Sequence, residues 1–198
     1  MDAELSAPTP PVCLIEGHTS DEECVLWVRC HDRHLQHTTI ADNDGEKLFY
    51  VEGPGGYKSM TLRRPLRDGS GNPVMDLRRY ATDLKMRWFV QDASGEKIAE
   101  LSHEKFFTSK HTAINAKVFN SGAQVEMRPR DAVGSTNYVN IGNATIAEIS
   151  LHTNNVPKRF VRDRDISVFR VRVAKGVDLS LVCDISNCHW KSLANSQR

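Results

Sequence analysis

Two short runs place cations at the spacing that an extended strand turns into a pair. In Lys85-Met86-Arg87 and Arg170-Val171-Arg172 the charged residues are two apart, and alternate side chains of a strand share one face. Two ammonium or guanidinium groups on one face suit phosphate, with Arg supplying a bidentate fork. Two such strands, if brought together, would offer Lys85, Arg87, Arg170 and Arg172 to one anion. The plain alternative is four solvated side chains facing outward.

Other groups with chemical capacity carry less. Cys30-His31 with His34 and His37 supplies soft ligands in a short span, and Cys24 precedes Cys30 by six residues. That spacing lacks the paired Cys-x-x-Cys of a zinc site, so no metal is expected. Asp42-Asn43-Asp44-Gly45-Glu46 begins like a calcium loop, but Gly53 stands at the twelfth position where an acidic ligand is required. A hairpin turn accounts for it better. The chain holds no Gly-x-Ser-x-Gly elbow, phosphate-binding glycine loop or His-Glu-x-x-His element. No cofactor is expected and no motif supports catalysis, although an enzyme using the fold as a scaffold stays open because fold does not fix function; no motif for nucleic acid is visible.

Alternating segments must position these cations. In Lys85 to Gln91, Met86, Trp88 and Val90 fall on one face, with Lys85 and Arg87 on the other. Val125 and Met127 alternate in the same way, as do Phe169, Val171 and Val173. Strands buried on one face suit an antiparallel sheet or barrel. Turns of similar wording separate them: Asp42 to Gly45, Asp68 to Gly71, Asp92 to Gly95, Asn120-Ser121-Gly122 and Ile141-Gly142-Asn143. Their last glycines are 26, 24, 27 and 20 residues apart, enough for two strands and two turns at ordinary lengths. The expected fold is mainly β, an antiparallel meander.

From Asp178 to Leu193 the period changes. Ser180, Asp184, Asn187 and Lys191 fall on one helical stripe, while Leu179, Leu181, Val182, Cys183, Ile185, Cys188 and Trp190 cover a wide apolar arc. A helix largely surrounded by protein is expected.

The 198 residues allow one sizeable core. With 39% apolar and 26% charged residues the chain is ordinary for a globular domain. The net charge of +1 hides an uneven distribution. Residues 1–24 hold six acidic side chains and no Lys or Arg, whereas Lys58–Arg87 holds eight cations against three Asp. Lys158–Lys175 holds seven against two. Residues 1–23, with Pro8, Pro10 and Pro11, read as a flexible acidic leader, 24–193 as one domain and 194–198 as a tail. No signal peptide and no apolar stretch near the roughly 20 residues of a membrane span is present. A cytoplasmic protein with reduced cysteines, at most peripheral at a membrane, is the expectation.

The order of these segments resembles the LURP-one-related family, which shares its fold with tubby C-terminal domains and phospholipid scramblases. The matching words are Ile40-Ala41-Asp42 through Gly45 to Leu48-Phe49, and Leu66-Arg67-Asp68 through Gly71-Asn72-Pro73-Val74 to Leu77-Arg78-Arg79. Trp88-Phe89-Val90 with Asp92 and Gly95 follows, then Phe169-Arg170-Val171 through Gly176-Val177-Asp178. Together they cover Leu35 to Trp190. The resemblance implies a twelve-stranded barrel closed around a C-terminal helix. Tubby domains bind phosphoinositides through a Lys-x-Arg pair, and Lys85-Met86-Arg87 is similar to it in type. The resemblance thus implies a non-enzymatic domain that contacts anionic phospholipid headgroups or a protein partner, with a scramblase-like lipid-handling protein as the alternative. The polar Asp184, Asn187, His189 and Lys191 depart from the almost wholly aliphatic helices of that family.

Overall fold

The computed structural model describes residues 2–32, 37–53, 61–80, 87–105, 112–130, 135–154, 167–183 and 185. Twelve strands follow in order: β1 (Cys24–Cys30), β2 (His37–Ala41), β3 (Lys47–Glu52), β4 (Thr61–Asp68), β5 (Pro73–Tyr80) and β6 (Trp88–Asp92). Then come β7 (Lys97–Lys105), β8 (Thr112–Val118), β9 (Gln124–Pro129), β10 (Thr136–Ile141), β11 (Ala144–Asn154) and β12 (Ser167–Val173). Each pairs antiparallel with its sequence neighbours, and β12 closes the ring on β1, Cys24 opposite Val173 through Cys30 opposite Ser167. The fold is the expected meander, closed into a barrel.

Alternation decides what faces the interior. Leu26 and Val28 of β1, Trp88 and Val90 of β6, Val125 and Met127 of β9, and Val171 and Val173 of β12 are all buried in one core. The three Asp-x-x-Gly turns are built alike. The Asp92 carboxylate accepts the N–H groups of Ser94 and Glu96, each at 2.9 Å, and the Asp42 carboxylate accepts those of Asp44 and Glu46, also at 2.9 Å. Gly95 takes φ 92°, which glycine tolerates at no steric cost. A register shift accompanies each of these turns, at Ile40/Ala41, Leu66/Arg67 and Val90/Gln91. An Asp carboxylate that satisfies turn amides explains why the same words recur in the sequence.

At the end of β12 the chain enters the barrel from the side of these turns. Asp178 starts a short helix, α1 (residues 179–183 and 185). Its carboxylate accepts the Ser180 N–H at 2.8 Å and its carbonyl accepts the Val182 N–H, the arrangement of an N-cap. Leu181 and Ile185 are 0% and 1% exposed, so the helix is the core plug expected from its apolar arc. Ser180, the first member of the polar stripe, is buried with its hydroxyl donating to Asp178. Asp184, Asn187 and Lys191 lie outside the described residues.

The N-terminal segment departs from the expected flexible leader. Val12 and Leu14 are 3% and 6% exposed and belong to the core. Val12 pairs with Val177, and Thr19 with Asp178. The other Asp178 carboxylate oxygen accepts the N–H groups of Leu14 at 2.7 Å and Ile15 at 3.0 Å. One buried side chain thus ties the N-terminal segment to the start of the plug.

Two charged faces on opposite sides of the barrel

Of the four expected anion ligands, Lys85 lies outside the described residues. Arg87 immediately precedes β6, and Arg170 and Arg172 stand on β12. In a closed ring of twelve, β6 and β12 are six strands apart in either direction. Arg87 therefore lies on the wall opposite Arg170 and Arg172, and the expectation that these three could meet at one phosphate is corrected. Alternation places them outward, but outward on a barrel is not one direction.

On the β12 wall the cations are matched by carboxylates of the chain itself. The Arg172 side chain is only 14% exposed, with Glu23 at 2.6 Å, Glu148 at 3.6 Å and Asp2 at 3.7 Å. It also donates to the Ala3 carbonyl at 2.9 Å. Arg170 pairs with Asp2 at 3.2 Å. The hydrogen bond from Arg170 and the positive charge of both arginines hold the Asp2 carboxyl below its ordinary value. The hydrogen bond to Glu23 raises Arg172 further. Acidic residues near the N-terminus thus neutralise this wall.

The opposite wall, β4 to β7, gathers residues from four strands. Arg63 and Arg78 face each other across β4 and β5 and share Asp76, at 2.6 and 3.2 Å. Arg78 is also the cross-strand partner of Phe89 on β6. Over the Phe89 ring sit the Lys97 ammonium, 4.2 Å from the centroid, and the Arg87 guanidinium, at 5.5 Å. Arg87 reaches Glu100 at 3.4 Å. Four cations are thus spread over this face with Asp76 and Glu100 among them, and cation–π contacts hold two on one aromatic ring. The charge excess of Lys58–Arg87 points to this wall. Sequence alone does not single out Arg63, Arg78, Phe89 and Lys97, because they come together only through strand pairing about the Asp68 and Asp92 turns.

The remaining clusters resolve simply. Cys30 points into the core, whereas the His31 imidazole sits against the Thr39 hydroxyl at 2.8 Å. His34 lies outside the described residues. Among the described residues no three potential ligands converge on a metal position. Asp42 to Glu46 is the β2–β3 hairpin turn. No helix among the described residues is long and apolar enough to cross a membrane.

These features define a helix-plugged β-barrel domain with two unlike charged walls. The LURP-one-related family model matches residues 25–185, and the chain belongs to that family. The crystal structure of a protein from Arabidopsis thaliana is similar, with a TM-score of 0.63 and 19% identity, covering 95% of this chain and 99% of the other. At that identity the likeness carries the fold. No curated protein matches the sequence.

Proposed function

We propose that this is a non-enzymatic binding domain whose β4–β7 wall contacts anionic phospholipid headgroups, phosphoinositides included, reversibly. The observation that carries the reading is the set of Arg63, Arg78, Arg87 and Lys97 on one outer face, two of them on the Phe89 ring. Phosphate arriving there gains charge-assisted hydrogen bonds from guanidinium forks. Near an anionic surface each such cation contributes about 1 kcal/mol, and the attraction is screened by salt.

Vesicle sedimentation tests the reading, with phosphatidylcholine vesicles compared with and without a phosphoinositide. Arg87→Ala/Lys97→Ala removes two cations, so binding is expected to weaken by about 2 kcal/mol, roughly thirtyfold. Lys85→Ala is measured beside it, since Lys85 belongs to the same run in the sequence. High salt should release the wild-type protein. Equal binding by the double variant, or binding indifferent to salt, would discard the β4–β7 wall as the contact surface.

A further inference from the structure

Because every strand runs antiparallel to its neighbours, the connections alternate between two ends of the barrel. The Asp-x-x-Gly turns, joining β2 to β3, β4 to β5 and β6 to β7, all stand at one end. That end is acidic. Asp42, Asp44, Glu46, Asp68, Asp92 and Glu96 belong to the three turns, against Lys47, Arg67 and Lys97 beside them. The N-terminal segment adds to the excess. Val12 pairs with Val177 and Thr19 with Asp178, where the plug enters, and Glu16, Asp21 and Glu22 of that segment are exposed.

The other end, where β1, β3, β5, β7, β9 and β11 finish, carries the opposite sign among the described residues. Arg63 lies near the start of β4, Arg78 and Arg79 near the finish of β5, and Arg87 just before β6. Arg128 lies near the finish of β9, and Arg130 just beyond it. Asp32, Glu52 and Glu104 are the acidic residues described at this end, and Glu104 pairs with Arg128 at 3.2 Å. The cationic excess reaches inside the mouth. Arg79 stands opposite the buried Trp88 in the register, and the buried Arg64 sets its guanidinium 5.4 Å from the centre of that indole. Arg63, Arg78 and Arg87 of the β4–β7 wall thus belong to a wider ring that continues to Arg130 on β9.

Segregation of charge along the axis gives a chain of net charge +1 a dipole that no count of its residues reveals. An anionic plane attracts one end and repels the other, so it turns the barrel before contact. The ring is also too wide for a single ligand. Arg63 and Arg130 stand on strands five places apart, roughly 24 Å around the wall at about 4.8 Å per strand, farther than one headgroup extends. We propose that the barrel docks end-on, with its arginine-bearing end flat on an anionic bilayer and its acidic turns pointing away. The partner is then the charged surface rather than a free headgroup. This inference rests on the β4–β7 reading and carries it past that wall to Arg130.

The test is sedimentation of the full chain with phosphatidylcholine vesicles containing phosphatidylserine. Arg130 is exposed and lies outside β4–β7. Arg130→Glu removes one cation and adds one anion, so binding is expected to weaken roughly thirtyfold. Lys117 and Lys175 are exposed at the acidic end, about 20 Å away along the strands and beyond the Debye length of about 8 Å. Lys117→Glu/Lys175→Glu makes twice the charge change, yet should leave binding nearly as it was. Thermal melting verifies that each variant is folded. Soluble inositol trisphosphate, matched in phosphate to the lipid, should displace little of the bound protein. If Arg87→Ala/Lys97→Ala weakens binding while folded Arg130→Glu does not, the β4–β7 wall stands and end-on docking is overturned. Equal losses from the two ends, or full displacement by the soluble headgroup, overturn it as well. Vesicles that fail to hold the wild-type chain defeat the β4–β7 reading and this inference with it.

Discussion

Replacing Asp178 by Ala removes four hydrogen bonds that one fully buried carboxylate accepts, from the N–H groups of Leu14, Ile15 and Ser180 and from the Ser180 hydroxyl. Loss of an N-cap costs about 1 kcal/mol. A buried N–H left without an acceptor costs about 1–3 kcal/mol, and the Leu14 amide is buried while that of Ile15 is partly so. The sum is about 3–5 kcal/mol. With a urea m-value near 2–3 kcal/mol/M for a chain of this size, the unfolding midpoint should fall by about 1.5 M. Asp178→Asn keeps one acceptor oxygen and turns an amide N–H towards the other set of donors, so its loss should fall between wild type and Ala. Native-state hydrogen exchange supplies a second reading: in Asp178→Ala the amides of Leu14 and Ile15 should lose protection before those of the barrel strands. A midpoint for Asp178→Ala within about 0.3 M of wild type, on the same m-value scale, would refute the idea that this carboxylate joins the N-terminal segment to the plug.

Gly69 tests the close approach of two hairpins. A Cβ at this position would stand 2.2 Å from the Lys47 carbonyl oxygen, backbone that cannot swing aside. Gly69→Ala should cost about 1–3 kcal/mol and lower the melting temperature by several degrees; an unchanged melting curve would contradict it. Asp2 tests the ion pairing of the β12 wall. Its folded pKa is lowered by the hydrogen bond and charge of Arg170, below the roughly 3.9 of an unfolded chain. The pair is therefore complete above about pH 4 and is lost as pH falls through the lowered folded value. An NMR titration of the Asp2 carboxyl should show that low midpoint, with Arg170→Ala moving it up towards the ordinary value while Arg172 keeps part of the effect. An ordinary midpoint in the wild-type protein would sink the assignment.

Local patterns carry most of the fold. Trp88 and Val90, or Phe169, Val171 and Val173, alternate because one side of each strand is buried, and Leu181 and Ile185 fall on an apolar arc because their helix is surrounded. The Asp-x-x-Gly turns repeat because the same carboxylate-to-amide bonds close three hairpins. The N-terminal segment reads wrongly as a leader for the opposite reason. Val12 and Leu14 gain their burial from Val177 and Asp178, more than 160 residues away, and no local window contains that partner. The site is half legible for a related reason. Alternation tells which cations face outward, but the ring position of β6 relative to β12 belongs to the closure as a whole. Only the strand order sets Arg87 on one wall and Arg170 and Arg172 on the other.

Closure between β1 and β12 also bears on how the chain is made. Cys24 pairs with Val173, so the seam joins the first strand to the last across about three-quarters of the sequence. During synthesis, eleven strands can emerge while β1 and β11 still present open edges, and the apolar plug follows only after β12. Such edges are templates for wrong pairing, and ladders of high sequence separation form slowly. The nascent barrel is thus most exposed just before β12 leaves the ribosome. The segment that contains Val12 and Leu14 emerges before every strand of the barrel and waits for partners that follow the last one.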